Sequence, residues 1–335
     1  MNILMIVTGD WRYDPRVLQE RSALTSNGHA VSVVDWKDKP SNKLRWFFYL
    51  FLWYYKEYRL NKNICFDVVH CHDFDTLLLG VLLKKQLGCK LVYDSHEMYA
   101  FMTDIWLVLP LEKLLMSNVD HLIAVDEGTQ AYLEYLDGKD PLILENCKPD
   151  VVPFYKPTGN ERFTVLYLGT LTRLRMFPDV LDAFKDLDAD FIVGGYGVEY
   201  DAVQKKASEY DNVYFVGRQP SVEMLSYTLN ADAVLCMMNP GNKNCLLGLP
   251  NKFYECMVCG RPMIVTKDTM IGETVEWNDL GVITDYSVSG VRKAVQQLIR
   301  NPELTKTYGR NMFNMGKNRN WNTEKQKLVS LYENM

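Results

Sequence analysis

Short, continuous apolar runs alternate along the chain with stretches of helical period. Apolar runs bounded by turn residues fit strands buried on both faces. Their separation by helix-length segments predicts parallel sheets with crossover helices, an α/β fold. In the first half the predicted strands are 3–7, 31–35, 67–71, 90–94 and 121–125. Asp14 is placed to cap a helix with Pro15 at its first position, running to Asn27 and stopped by Gly28. A further helix spans about 75–87 and is closed by Gly88. The stretch KPDVVPFYKPTGNERF, rich in chain-breaking residues, marks a connection at 150–161. Strands then resume at 164–168, 191–194, 213–216, 233–237, 262–266 and 282–284. The pattern implies two Rossmann-like, doubly wound domains, 1–155 and 156–317. An amphipathic helix at about 318–335 is expected to return and brace the first. Open parallel sheets bind ligands beyond the carboxyl ends of their strands, so the expected site is a cleft that the two domains face across.

Composition narrows the function classes. The chain has 335 residues, 47% apolar and 24% charged, enough for two self-sufficient cores and too apolar for a disordered chain. A net charge of -5 argues against nucleic acid as a partner, because phosphate neutralisation needs clustered Lys and Arg. The eight cysteines are irregularly spaced and a chain of this size needs no bridges, so reduced thiols are expected. Cys256 and Cys259 form a C-x-x-C inside NKFYECMVCGRP, which reads as a helix body, and packing explains them better than redox or zinc chemistry. The opening MNILMIV lacks the basic flank and long apolar core of a secretion signal, which predicts a cytoplasmic protein.

The turns after the first strands of the two halves read TGDWRYDPR and GTLTRLRMFPD. Neither contains G-x-G-x-x-G, which demotes a dinucleotide-dependent dehydrogenase. GGYG at 194–197 follows a strand and is either a tight turn or a backbone approach to a ligand. Taken together, the segments are more specific than any one of them. D-P-R with L-x-x-x-G-H-x-V over 14–31, FDVVHCHD, LVYDSHE, YLGTLTRLR, FIVGGYG, NVYFVGRQ, PNKFYECMVCGRPMIV and the run 272–281 follow one another along nearly the whole chain. In this order they resemble the retaining glycosyltransferases of the family-4 type (glycosyl transferases group 1), which have the GT-B fold.

That resemblance implies a nucleotide diphosphate sugar in the second domain, with Glu255 gripping the ribose hydroxyls. A carboxylate accepting two hydroxyl hydrogen bonds suits the task; a solvated helix carboxylate is the plain alternative. Arg173 and Arg175 occupy the loop in which the family carries a basic pair for the diphosphate, and Lys252 lies one helical turn before Glu255. Arg173 also reads as an ordinary surface charge. Gly169 and Gly195 are placed for backbone approach to the donor. The glutamate usual eight residues before the ribose-binding one is replaced by Leu247, a departure that turns attention to the backbone of Gly248 and Leu249 in NCLLGLPNK. Glu273 matches a further acidic position near the donor or is a plain loop carboxylate. No D-x-D stands in an equivalent place, so metal-independent transfer without a cofactor is expected. From the first domain, His96 is implied to face the anomeric centre, unless it is a structural histidine. His70 and His72 alternate on a strand and share a face, but lack a third metal ligand in sequence. His72 and Asp73, with Gly9 and Asp10, form the expected acceptor side. Asp14 and Arg16 read as local scaffolding as much as chemistry.

The segment LRWFFYLFLWYYKEYRL at 44–60 stands apart. Its uncharged core, 46–55, is ten residues long, about half of what a helix needs to cross a bilayer. Seven cations (Lys37, Lys39, Lys43, Arg45, Lys56, Arg59, Lys62) against Asp38 and Glu57 give the surroundings a charge of +5. Aromatics beside cations suit the headgroup boundary. The pattern predicts peripheral membrane contact through Trp46, Phe47, Phe48, Trp53 and Tyr54, with a lipid-linked or glycan acceptor at the inner face of the cell membrane. A helix buried against its own domain or a subunit is the competing reading. The expected function is transfer of a sugar from a nucleotide diphosphate to an acceptor hydroxyl in glycolipid, polysaccharide or glycan assembly. A nucleotide-sugar epimerase of the same fold and an inactive nucleotide-sugar-binding subunit stay open beside it.

Overall fold

The computed structural model describes residues 1–37, 43–102, 105–150, 152 and 155–335. It divides into two compact units, Met1–Asn146 with Glu324–Met335, and Cys147–Thr323.

The first unit is built on six strands: β1 (Asn2–Val7), β2 (Ala30–Asp35), β3 (Val68–His72), β4 (Lys90–Ser95), β5 (His121–Ala124) and β6 (Leu142–Ile143). They are all parallel in the order β2-β1-β3-β4-β5-β6. β1 and β3 are buried almost end to end, as their unbroken apolar runs require, whereas the edge strand β2 is only partly covered. Two-residue β6 is too short to leave a pattern in sequence. The helices are α1 (Pro15–Ser26), α2 (Lys43–Asn61), α3 (Phe74–Leu87), α4 (Tyr99–Met102), α5 (Val108–Met116) and α6 (Glu127–Asp137). The Asp14 carboxylate accepts from the N–H groups of Arg16 (3.0 Å) and Val17 (3.3 Å), with Pro15 at the first helical position, as expected. The order in which strands are added reverses between β1 and β3, so the carboxyl ends of these parallel strands flank the switch point of the sheet.

Helix α2 requires a correction. Leu50, Trp53, Tyr54, Glu57 and Asn61 are buried, an inward stripe at helical spacing. Trp53 stacks on Trp36 (ring centroids 5.8 Å apart), the Tyr54 hydroxyl donates to the Asp75 carbonyl, and Trp46 leans on Trp36 at 5.7 Å. Trp53 and Tyr54 are therefore core residues and not membrane contacts, and Trp46 is half-committed to the core. The 3.6-residue period sends them inward and turns out Phe48 (63% exposed), Tyr49, Phe51, Leu52 and Tyr55 (64%) instead. The side chain of Phe47 lies outside the described residues. Among the described residues, no helix is long and apolar enough to cross a membrane.

The second unit repeats the plan with β7 (Phe163–Thr170), β8 (Ala189–Tyr196), β9 (Val213–Gly217), β10 (Ala233–Cys236), β11 (Met263–Thr266) and β12 (Gly281–Thr284). The parallel order is β12-β11-β10-β7-β8-β9, with its switch point between β7 and β10. Helices α7 (Tyr200–Ala207), α8 (Ser221–Leu229), α9 (Lys243–Leu247), α10 (Asn251–Cys259), α11 (Met270–Trp277), α12 (Val288–Arg300) and α13 (Pro302–Asn318) complete it. No disulfide joins cysteines among the described residues; Cys256 and Cys259 are buried in α10, and burial pushes the Cys259 thiol up to about 12. That is the behaviour of packing residues.

Helix α14 (Trp321–Glu333) carries Leu328 and Tyr332 into the first unit, where both are buried. The carboxylate of Glu324 accepts from the Glu145 N–H at 2.9 Å, and Lys327 pairs with it at 2.8 Å.

Candidate active site

In the second unit, the switch point gathers Gly169 at the end of β7 and Lys252 and Glu255 on α10. Gly169 has φ +155°, and a Cβ there would lie 2.5 Å from Lys252 Nζ. A side chain there would displace the ammonium, which sits 4.2 Å above the Tyr167 ring. Gly195, at φ +141°, is needed for backbone packing: its Cβ would fall 1.7 Å from the Gly169 carbonyl oxygen. Lys252 and Glu255 share one face of α10, a turn apart. Burial pushes the Lys252 ammonium below its ordinary pKa, while Cys236 and Glu255 pull it up and Arg175 pushes it further down. These four residues thus sense one another. Glu255 is 8% exposed, yet its carboxylate has no hydrogen-bond or ion-pair partner among the described residues, and neither has the Lys252 ammonium. A carboxylate and an ammonium held in place without hydrogen-bond or ion-pair partners form an acceptor and a donor in reserve for a polar ligand.

Arg175 closes a short 3-10 turn, and its guanidinium donates to Cys245 Sγ at 3.7 Å. Arg173, in the same turn, is exposed and engaged by Glu199 (3.0 Å) and Asp179 (3.1 Å), which draw it into surface ion pairs. Gly248 has extended backbone (φ -106°) and Leu249 is buried, so that loop displays no glycine-specific geometry. Glu273 is exposed in the first turn of α11, where the helix dipole favours a negative charge.

In the first unit, Gly9 leaves β1 at φ +131° with open space beside it, and its N–H donates to the Trp36 carbonyl (3.1 Å). Asp10 is clasped by Arg12 at 2.5 Å, whose hydrogen bond lowers the carboxyl to about 2. Asp73 follows β3 at φ +70°, ψ 158°, a conformation almost reserved for glycine and therefore a strained one. It holds His96 twice: Asp73 Oδ1 accepts the His96 backbone N–H (3.1 Å) and Oδ2 lies 3.4 Å from Nδ1. His96 Nε2 is 3.0 Å from Asp94 Oδ2. Burial disfavours the imidazolium, but the carboxylates of Asp73 and Asp94 outweigh it and raise His96 to about 10. At neutral pH His96 is a cation, a donor at both nitrogens and no general base.

Beneath His96 lies a sealed polar cluster. Arg16 clamps Asp94 with two parallel hydrogen bonds (2.8 and 2.7 Å) and also donates to the Leu144 carbonyl (2.7 Å). Burial opposes charge on Asp94, yet Arg16 and His96 hold its carboxyl well below the usual range. Glu20 lies 3.0 Å from Arg16 Nε without hydrogen-bond alignment; burial and the charge of Asp94 push its carboxyl well above the usual range. His72 is fully buried and does not border an open surface; burial lowers it to about 3, and its Nδ1 lies 3.3 Å from Asp94 Oδ2. Glu20, His70, His72 and Asp94 bring possible metal-ligating atoms within 4.8 Å of one another. The partners that His70 and His72 lacked in sequence are therefore present. Their geometry is nonetheless wrong for an ion. The two imidazoles stack 4.4 Å apart at 16°, and near-parallel rings cannot both aim an in-plane lone pair at one ion ~2 Å from each. Arg16 already occupies both oxygens of Asp94.

The family model for glycosyl transferases group 1 matches residues 153–315, and that for glycosyltransferase family 4 matches 9–152. The chain belongs to the group 1 glycosyltransferases. It is 22% identical over 242 residues to the uncharacterized glycosyltransferase MJ1069 of Methanocaldococcus jannaschii, covering 67% of this chain and 60% of that one. It is 25% identical over 204 residues to N-acetyl-alpha-D-glucosaminyl L-malate synthase of Bacillus anthracis, covering 58% of this chain and 50% of the synthase. The chain thus spans little more than half the length of these relatives. Among solved structures, sucrose-phosphate synthase of Thermosynechococcus elongatus superposes with a TM-score of 0.82 at 18% identity, covering 100% of this chain and 98% of that one. Anabaena HepE, solved in complex with UDP and glucose, gives 0.79 at 15% identity with both chains fully covered. The GT-B fold of the chain is thereby shown.

Several residues of the glycosyltransferase's first unit escape sequence reading. Asp94 lies two positions before His96 in YDSHE, and strand alternation would have paired them on one face; that signal was present. The role of Glu20 follows from Arg16 at i,i+4. Tyr332, more than two hundred residues from its partner His70, left no local signal.

Proposed function

We propose that this chain transfers a sugar, with retention at the anomeric carbon and without a metal ion, from a nucleotide diphosphate sugar to an acceptor hydroxyl. The observation that carries the reading is the pair of unpartnered groups, Glu255 and Lys252, beside Arg175 at the switch point of the second sheet. Glu255 accepts the ribose hydroxyls; Lys252 and Arg175 meet the charge that grows on the diphosphate as the sugar departs. In the step itself the bond from C1 to the phosphate oxygen breaks, the acceptor oxygen bonds C1 on the same face, and the acceptor proton passes to the departing phosphate. No side-chain nucleophile is required. His96, a cation held between Asp73 and Asp94, places positive charge toward the sugar or acceptor. Solved structures of similar fold contain UDP, so UDP sugars are the first donors to test.

Calorimetric titration with UDP, GDP, ADP and their sugars tests the donor site. Glu255→Gln is expected to weaken the preferred nucleotide about 10- to 100-fold, the value of one or two charge-assisted hydrogen bonds. Equal affinity in wild type and variant removes Glu255 from the site. Conversion of the donor without an acceptor would identify an epimerase, and tight binding without turnover a binding subunit.

The acceptor reading rests on α2. Its outward aromatics stand beside Lys56 and Arg59, the latter 5.9 Å from the Tyr55 ring, and this pairing of apolar body with cationic rim suits an anionic lipid surface. The chain is proposed to work at the cytoplasmic face of the membrane on a lipid-linked acceptor. Flotation with phosphatidylglycerol vesicles is expected to carry the protein along, and the triple change of Phe48, Phe51 and Tyr55 to Ser to leave it behind. Equal recovery of both proteins in the vesicle fraction removes α2 as the contact.

A further inference from the structure

Tyr332, on the last helix, points its hydroxyl at His70 Nδ1 at 2.6 Å, with the two rings nearly parallel (16°, centroids 6.2 Å apart). His70 in turn stacks on His72 at 4.4 Å, and His72 Nδ1 lies 3.4 Å from His96 Nε2, both nitrogens converging on Asp94 Oδ2. Tyr332, His70 and His72 are fully buried; His96 alone keeps some contact with solvent. A single file of rings therefore runs from the C-terminal helix to the one histidine of the group that a substrate can reach. We propose that Tyr332 and His70 are positioning residues that fix the orientation and protonation of His96 through His72 and Asp94, so that the C-terminal helix forms part of the reaction machinery. The inference rests on the assignment of His96 to the reacting centre.

The chemistry of each member supports the direction of this relay. Burial, and the charges of Glu20 and Asp94, push the Tyr332 phenol well above its ordinary pKa, so it keeps its proton and donates. His70 Nδ1 is then an acceptor. Burial also holds the His70 ring neutral, which puts its one proton on Nε2. That N–H faces Glu20 Oε2 at 3.6 Å and Asp94 Oδ2 at 3.9 Å. A neutral His70, its Nε2–H turned toward these oxygens beyond hydrogen-bond distance, brings no positive charge to compete for Asp94, which stays ionised to bind His72 and His96. Without the phenol, Nδ1 of His70 would be a buried acceptor with no donor, and the ring would be free to change tautomer or to take a second proton. Either change alters the charge that Asp94 presents to His96. Among the described residues, the groups facing His70 that enter this scheme are Arg16 and Glu20 from α1, His72 beside it on β3, Asp94 from β4, His96 beyond it, and Tyr332 from α14.

The test uses the full chain, labelled at histidine Cε1 and followed by NMR over a pH series, with transfer kinetics and calorimetric nucleotide binding beside it. Tyr332→Phe is expected to shift the titration of His96, and to lower kcat by up to about 100-fold, as loss of alignment at a reacting group does. Nucleotide affinity is expected to stay at the wild-type value. His70→Gln keeps a carbonyl acceptor for Tyr332 and an N–H donor toward the carboxylates, and is expected to retain both the His96 titration and most of kcat; His70→Leu is expected to lose both. Leu328→Ala removes packing from the same helix without touching the file of rings, and controls for simple loosening. An unmoved His96 titration in Tyr332→Phe, or equal losses in Tyr332→Phe and Leu328→Ala, overturns the proposal. Should no donor give turnover, the transferase reading fails while the NMR arm still decides whether Tyr332 governs His96.

Discussion

Replacing Arg175 with Ala is expected to lower kcat by about 10²- to 10³-fold, equivalent to 2.7–4 kcal/mol of lost stabilisation of the departing diphosphate. Lys252→Met is expected to fall in the same range, and the double variant well short of the product of the two, because both cations answer one developing charge and sense each other already in the free protein. KM for the donor should rise less than kcat falls, since the charge they meet is largest in the transition state. The measurement is initial-rate kinetics with a saturating acceptor. A variant pair that raises KM and leaves kcat at the wild-type value would reassign both residues to ground-state binding. Arg173→Ala is a built-in contrast: its guanidinium is exposed and held by Glu199 and Asp179, and its loss should cost little.

That contrast also shows what the sequence could and could not convey. The strands of both sheets, two-residue β6 apart, were legible because buried parallel strands are continuous apolar runs, and the start of α1 because Asp14-Pro15 carries its own capping chemistry. Glu255 and Lys252 were legible as a pair because one helical turn separates them. Arg173 and Arg175 stand two residues apart in one loop, and the sequence already read Arg173 as an ordinary surface charge; the 3-10 turn sends it to surface carboxylates and Arg175 toward Cys245. The reading of 44–60 mistook composition for orientation. Aromatic content was right for an interfacial helix, but which rings point outward is set by the phase of the helix against the core, and that phase buries Trp53 and Tyr54. The cluster under His96 was hardest to foresee, since Arg16, Asp94 and Tyr332 come from three distant parts of the chain and are joined by tertiary packing alone.

That cluster carries the largest expected effect on stability. Asp94→Asn takes away the ionised carboxylate that Arg16, His72 and His96 share, and leaves the buried guanidinium without its two-pronged partner. Stranding a buried charge in this way typically costs about 3–5 kcal/mol. Urea unfolding followed by probes in each unit should show the transition of Met1–Asn146 moved to lower denaturant, with the nucleotide-stabilised transition of the second unit unmoved. Replacing Arg16 with Met and Asp94 with Leu together should be less harmful than Asp94→Asn alone, because the pair's desolvation penalty disappears with its attraction. A pH arm separates the contribution of His96. Its folded pKa of about 10 lies above the ordinary 6.5, so the stability it adds is complete below about pH 6.5 and is lost as pH rises through about 10. In Asp94→Asn, with only Asp73 left to favour the imidazolium, the decline between these limits should flatten. Equal urea midpoints and an unchanged pH slope in wild type and variant would mean that the ion pairs at Asp94 merely break even against their desolvation.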